Sequence, residues 1–239
     1  AFLMVLGTLN SLVRYVQNNN NNNIQNNYQN LLEATKEGKN YLMNSPIFEN
    51  LKTGDLTVEQ YSNFLKEAFH HVKETVPLLM AVGAILPYEK EKYREIVIEY
   101  INEEYGHHNW ILNDIENTGV LNKKEVEYSL PLPETQAMIS YVRDEIRKNP
   151  MSFFGMVLVL EGTSVEVATQ SGELIMQHLG LSKKSFSYLF SHGSLDQEHI
   201  VFFENLINGI EDEKDMEDII RVANYVYIYY SNILRKVFE

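Results

Sequence analysis

The feature that most limits the fold of this chain is helical periodicity, which runs almost without interruption from residue 24 to the C-terminus. Only six prolines occur in 239 residues, and no strand-like alternation of apolar and polar residues lasts more than a few positions. The predicted helices cover residues 24–39, 57–86, 88–117, 134–148, 150–179, 195–208 and 215–238, with a short one after residue 182. Several approach 30 residues, or about 45 Å, and helices of that length pack as a bundle. We therefore predict an all-α fold of about seven helices.

Local signals place several helix ends. Thr57, followed three residues later by Gln60, has the pattern of a capping box at the start of the second helix. Pro77 lies inside that helix and predicts a kink. Gly119 and Gly180 stand where left-handed C-terminal caps are expected.

The N-terminal residues 1–23 are predicted to be an extension that contains an asparagine-rich segment. Its apolar runs are too short and too interrupted for a membrane span, and it makes a poor signal peptide. Residues 24–239 are predicted to form a single all-helical domain, and we expect the protein to be cytoplasmic.

Charge and cysteine content exclude several classes of function. The formal net charge is −13, which argues against binding to nucleic acid or to an anionic membrane surface. The chain has no cysteine, so it has no disulfide, thiolate metal site or cysteine nucleophile.

The main chemical signal is the set His192, Asp196 and His199, spaced at i, i+4 and i+7. On a helix these positions fall within about 60° of one another on one face. Two imidazoles and a carboxylate directed the same way suit iron, manganese or zinc. The alternative interpretation is one helix cap and two surface polar residues.

A second cluster contains Glu103, Glu104, His107 and His108. Glu104 and His107 form a Glu-x-x-His pair, a spacing that di-metal sites in helix bundles use. Glu103 and His108 remain alternative ligands, and a solvated helix face is the other interpretation.

Glu161 follows an apolar run at residues 153–160 and is therefore predicted to be buried. A buried carboxylate without a partner costs several kcal/mol, so Glu161 needs a cation or strong hydrogen-bond donors unless it lies on the surface. His71, in the middle of a predicted helix, is a candidate outer hydrogen-bond donor or substrate contact, with a core histidine as the alternative.

These segments resemble the haem-oxygenase-like diiron oxidases, which are related in fold to the TenA thiaminases and the PqqC proteins. The resemblance covers roughly residues 40–238. The ligands of that family are a Glu and a His, a lone Glu on a later helix, and then His-x-x-x-Asp-x-x-His. Carried onto this sequence, the implied ligands are Glu104, His107, Glu161, His192, Asp196 and His199.

The resemblance implies a haem-oxygenase-like (TenA/PqqC-like) bundle holding two iron ions, with manganese in place of one iron as an alternative. It also implies dioxygen as co-substrate, a small carboxylate or amine substrate, and an external electron donor where needed. We further expect a homodimer. One competing interpretation is a metal-free TenA/PqqC-like cofactor-biosynthesis or binding protein. A second is a ferritin-like diiron carboxylate fold, in which Glu74 would join Glu104, His107, Glu161, Asp196 and His199.

Overall fold

The computed structural model describes residues 26–238, with the side chains of residues 192–199 excepted. Within that range the chain forms eleven α-helices, joined in places by single turns of 3-10 helix at Tyr88–Lys90, Pro150–Phe153 and Lys183–Ser185. The α-helices are α1 (Asn27–Ala34), α2 (Lys36–Met43), α3 (Pro46–Thr53), α4 (Val58–Ile85), α5 (Glu91–Glu104), α6 (His107–Thr118), α7 (Lys123–Glu127), α8 (Pro133–Lys148), α9 (Phe154–Leu179), α10 (Ser187–Asn208) and α11 (Glu213–Phe238). No strand occurs among the described residues. The prediction of an all-α fold is confirmed, whereas the predicted extension at residues 1–23 lies outside the described range.

The number of helices exceeds the prediction because two predicted helices are each divided and two short ones, α3 and α7, were missed. The first division lies at Thr35, between α1 and α2. The Thr35 hydroxyl donates a hydrogen bond to the Leu31 carbonyl oxygen at 2.8 Å, a local bond that competes with regular helix geometry. The second division separates α5 from α6 and shapes the candidate site.

Helix ends follow the sequence signals closely. Both bonds of the capping box are present: the Gln60 N–H donates to the Thr57 hydroxyl, and the Thr57 N–H donates to the Gln60 side chain. Pro77 is contained within α4, which continues as a helix to Ile85. Gly119 and Gly180 adopt φ values of 75° and 64° and end α6 and α9.

Helix α9 lies at the centre of the bundle and packs against α10 and α11. The closest approach is at Gly155, where a Cβ atom would lie 2.5 Å from the Ile219 carbonyl oxygen and 2.7 Å from the Ala223 nitrogen. Only glycine allows the two backbones to come so near. The segment Pro150–Leu179 is long and apolar enough to cross a membrane, but 56% of its most apolar stretch is buried inside the protein, as expected for a core helix.

Candidate metal centre

The candidate site begins at a break between two helices. Helix α5 ends at Glu104 and α6 begins at His107, so the predicted continuous helix over residues 88–117 is wrong. Tyr105 has an extended conformation, and Gly106 adopts a φ of +97°. A left-handed backbone of this kind costs glycine little and other residues considerably more, which explains why the helix can stop here.

The break leaves Glu104 and His107 in contact. The Glu104 Oε2 atom lies 3.2 Å from the His107 Nδ1 atom, and the two side chains are only 12% and 8% exposed. The Trp110 ring stacks on the His107 imidazole, with centroids 4.2 Å apart and an angle of 24° between the planes. The carboxylate and the imidazole are thus close and largely shielded from solvent, although they belong to different helices.

The two alternative ligands are placed differently from this pair. Glu103 is exposed. His108 is partly buried, and its ring centroid lies 6.4 Å from that of Phe69 on α4. Their surroundings favour Glu104 and His107 as the ligand pair.

Glu161 lies on α9 and faces a cavity of about 60 Å³, which we call the central cavity. Glu104 and His71 also line it, so three residues singled out from the sequence meet in one space. The remaining lining residues are Val72, Thr75, Phe153, Met156, Val157, Leu160, Ser164 and Tyr188. Glu161, which the sequence predicted to be buried unless it lay on the surface, is partly buried, because a second cavity opens beside it.

His71 projects into this region from α4. It is 3% exposed, and its ring meets the Tyr230 ring edge-on at a centroid distance of 5.9 Å. His71 is therefore a buried histidine that borders the central cavity. The sequence pattern alone does not distinguish such a position from one in the core.

The second half of the predicted ligand set is on α10. His192, Asp196 and His199 all lie within the helical backbone of this element, which preserves the assumed i, i+4 and i+7 spacing. Their side chains fall outside the described part of the chain. Among the side chains that are described, no three His, Asp or Glu residues are grouped closely enough to hold a metal ion. A complete site would require side chains from α10.

Helix α10 is fixed to α6 by a buried carboxylate. Asp114, with no exposed surface, accepts hydrogen bonds from the backbone N–H groups of Ser187 (3.0 Å) and Tyr188 (2.8 Å) and from the Ser187 hydroxyl (2.5 Å). Burial raises the pKa of Asp114, against the lowering effect of these hydrogen bonds. The contact connects the helix that begins with His107 to the first turn of the helix that carries His192.

Sequence reasoning missed Tyr100. This residue is 2% exposed on α5, and within the described part of the chain its hydroxyl has no hydrogen-bond partner. Burial, followed by the negative charges of Glu161, Glu103 and Glu104, raises the pKa of Tyr100 well above its usual range. The available signal was its position four residues before Glu104, which puts the two on one helix face.

Two further cavities adjoin the central one. The outer cavity, about 360 Å³, shares Glu161 and Val157 with it and extends to Lys36 and Lys39 on α2. The apolar cavity, about 60 Å³, shares Ser164 and Tyr188 with the central cavity. Its other walls are mainly aliphatic and aromatic side chains from α3, α4, α9, α10 and α11. The central cavity is thus adjoined by one space whose lining includes charged side chains and by one mainly apolar space.

The described residues fit a metal centre in their chemistry. Carboxylate oxygens and imidazole nitrogens are ligands that iron and manganese accept. Glu104 and Glu161 supply the first type at the central cavity, and His107 supplies the second next to Glu104. The hydroxyl of Tyr100 adds a buried donor that has no acceptor among the described residues.

Comparison with known proteins identifies the type of chain. A family model described as an iron-containing redox enzyme matches residues 62–227, a range that includes all six predicted ligands. No curated protein matches the chain in sequence.

Several solved structures share the fold. A domain of unknown function with a heme oxygenase-like fold from Shewanella denitrificans OS217 has a TM-score of 0.78 and 22% identity, over 90% of this chain and 93% of that one. Heme oxygenase-2 from Synechocystis sp. PCC 6803, in complex with heme and NO, has a TM-score of 0.73 and 13% identity, and the match covers 89% of this chain and 85% of that one. A TenA homolog from Pseudomonas syringae pv. tomato DC3000 has a TM-score of 0.69 and 13% identity, and the match covers 87% of this chain and 91% of that one. The predicted haem-oxygenase-like bundle is confirmed, and the ferritin-like alternative is set aside.

Proposed function

The chain belongs to the family of iron-containing redox enzymes, and from that premise we propose that it is a non-haem diiron oxidase or oxygenase acting on a small organic molecule. The observation that carries the proposal is the shielded contact between Glu104 and His107 beside a cavity that Glu161 also lines. Shielding a carboxylate from water costs free energy unless a cation or hydrogen-bond donors compensate. A metal ion would supply that compensation.

In this proposal the six ligands are Glu104, His107, Glu161, His192, Asp196 and His199. Three carboxylates carry −3 and two ferrous ions carry +4, so the net +1 favours one additional anionic ligand. Two irons bound there supply the electrons that activate dioxygen for oxidation of an organic substrate. Dioxygen is the co-substrate, and an external electron donor completes the cycle where the reaction needs one.

The residues of the chain itself bind and orient the substrate. His71 lies on the wall of the central cavity, where its imidazole can contact a substrate or a ligand carboxylate. The outer cavity offers a route from the surface past Lys36 and Lys39, whose ammonium groups favour an anionic substrate such as a carboxylate. Lys39 pairs with Glu166 at 2.5 Å, but both side chains are more than 40% exposed, so an incoming anion can compete for the lysine.

A second candidate function is a metal-free cofactor-biosynthesis or binding protein. The similarity in fold to a TenA homolog favours it, since the same bundle serves proteins of more than one type. Iron content separates the two candidates.

The test is anaerobic reconstitution with ferrous ion, followed by measurement of bound iron and then of dioxygen consumption with candidate substrates. We expect about two irons per chain, whereas less than about 0.3 per chain would rule out the diiron proposal. Glu161→Ala and His192→Ala should each lose iron. His178→Ala is the matched control, because the His178 ring contacts the Leu51 carbonyl oxygen at 3.0 Å instead of the central cavity. Full iron retention in both ligand variants would overturn the ligand assignment.

A further inference from the structure

Tyr100 has a polar group that the fold does not use. Its side chain is 2% exposed, and its hydroxyl has no hydrogen-bond partner among the side chains and backbone groups that the structure describes. Leaving a buried hydroxyl without a partner costs free energy, and buried polar groups without partners are rare in native proteins. A phenylalanine at this position would fill nearly the same space without that cost.

The position of Tyr100 connects the two halves of the proposed metal centre. It precedes Glu104 by four residues on α5, so the two lie on the same face of that helix. Its ring lies 5.6 Å from the ring of Phe202, centroid to centroid. Phe202 is on α10, three residues after His199. From the helix that ends at Glu104, Tyr100 therefore packs against the helix that carries the histidine motif.

Three carboxylates surround the phenol electrostatically. Burial is the main cause of the raised pKa of Tyr100, and the negative charges of Glu161, Glu103 and Glu104 follow in that order. The neutral phenol is a hydrogen-bond donor, and ionised carboxylates are acceptors only. Carboxylates that bind a metal usually accept a hydrogen bond from a neighbouring residue, which orients them.

We propose that Tyr100 is a positioning residue of the metal centre, whose hydroxyl donates a hydrogen bond to a ligand carboxylate of that centre, Glu104 or Glu161, when metal is bound. This inference rests on the proposed function. It assigns to Tyr100 a use for its hydroxyl, which finds no acceptor among the described residues of the metal-free protein. The same hydroxyl that is unfavourable for folding is favourable for metal binding.

Tyr93 provides a matched control for this proposal. It lies seven residues earlier on α5, hence on the same face, and is 4% exposed. Its hydroxyl donates to the Gly209 carbonyl oxygen at 3.0 Å, so its polar group is already used by the fold. Removing the hydroxyl at Tyr93 therefore perturbs the same helix through the loss of a hydrogen bond to a backbone carbonyl oxygen.

The experiment titrates ferrous ion anaerobically into metal-free wild type, Tyr100→Phe and Tyr93→Phe, and measures the dissociation constant by calorimetry. Tyr100→Phe should bind iron about 10- to 100-fold more weakly, as for other residues that orient metal ligands, and Tyr93→Phe should bind as the wild type does. Equal iron affinity in wild type and Tyr100→Phe would overturn this inference alone. Absence of iron binding by the wild type would overturn the proposed function as well.

Thermal unfolding of the metal-free proteins gives a second readout. Tyr100→Phe should melt at or above the wild-type temperature, because it removes a hydroxyl without a partner. Tyr93→Phe should melt lower, because it loses a hydrogen bond. A lower melting temperature for metal-free Tyr100→Phe, with unchanged iron affinity, would show that Tyr100 is merely structural.

Discussion

The break at Gly106 should be essential to the metal centre, and Gly106→Ala tests this directly. A Cβ atom added there would meet only the Asn109 side-chain nitrogen, at 3.8 Å, so it fits without a clash among the described residues. The substitution should then lower the free energy of unfolding only through the left-handed backbone at φ +97°, which costs a residue other than glycine about 1–2 kcal/mol. In a chain of this size that lowers the melting temperature by about 2–8 °C.

The matched control is Gly119→Ala, at the opposite end of α6. Gly119 has a φ of +75°, and no described atom lies within 4 Å of its added Cβ, so its substitution should cost about as much stability. Only Gly106→Ala can relieve its strain by moving the backbone between Glu104 and His107. We expect ferrous ion to bind at least about tenfold more weakly to Gly106→Ala, and with wild-type affinity to Gly119→Ala. Equal iron affinity of the two variants, at equal loss of melting temperature, would refute the idea that this break positions the ligands.

Two further predictions concern stability. Asp114→Ala should lower the free energy of unfolding, measured by urea denaturation, by about 2–4 kcal/mol, because it leaves the N–H groups of Ser187 and Tyr188 without their acceptor. Ser187→Ala removes only one hydroxyl donor and should lower it by about 1 kcal/mol. The reverse order would contradict the anchoring role of Asp114. Burial, then the nearby charges of Lys73 and Lys66, lowers the pKa of His70 from 6.5 to about 4. Folding therefore favours neutral His70. Its contribution to the free energy of unfolding is fully present above pH 6.5, and about 3 kcal/mol of that free energy is lost as the pH falls to 4. A His70→Gln variant whose stability has the same pH dependence as that of the wild type would contradict this.

The helices of this fold were largely predictable because their signals are local. The capping box at Thr57 and the glycine caps at Gly119 and Gly180 depend on neighbours within a few residues. The breaks at Thr35 and Gly106 were missed because apolar periodicity continues across an interruption of one or two residues. A glycine inside a helical pattern does not reveal whether its backbone is helical or left-handed.

The candidate site was only partly predictable. Glu104, His107 and Glu161 were identified by residue type and spacing, and the structure places Glu104 and Glu161 at one cavity with His107 in contact with Glu104. Tyr100 could not be found in that way, because a tyrosine on the apolar face of a helix has the pattern of an ordinary core residue. Its distinction is a missing hydrogen-bond partner, which becomes visible only when the tertiary neighbours of each buried polar atom are known.

Glu161 shows why such a site can exist before it holds metal. An apolar run on its N-terminal side predicted burial, which makes an ionised carboxylate costly unless a cation or hydrogen-bond donors accompany it. The structure places Glu161 instead between the central and outer cavities, where it is only partly buried. Partial hydration reduces the cost of its charge, and the Glu104 carboxylate lies 3.2 Å from the His107 imidazole. The bundle can therefore fold without the ions that the proposed function assigns to it, and the outer cavity gives those ions a path to the ligands afterwards.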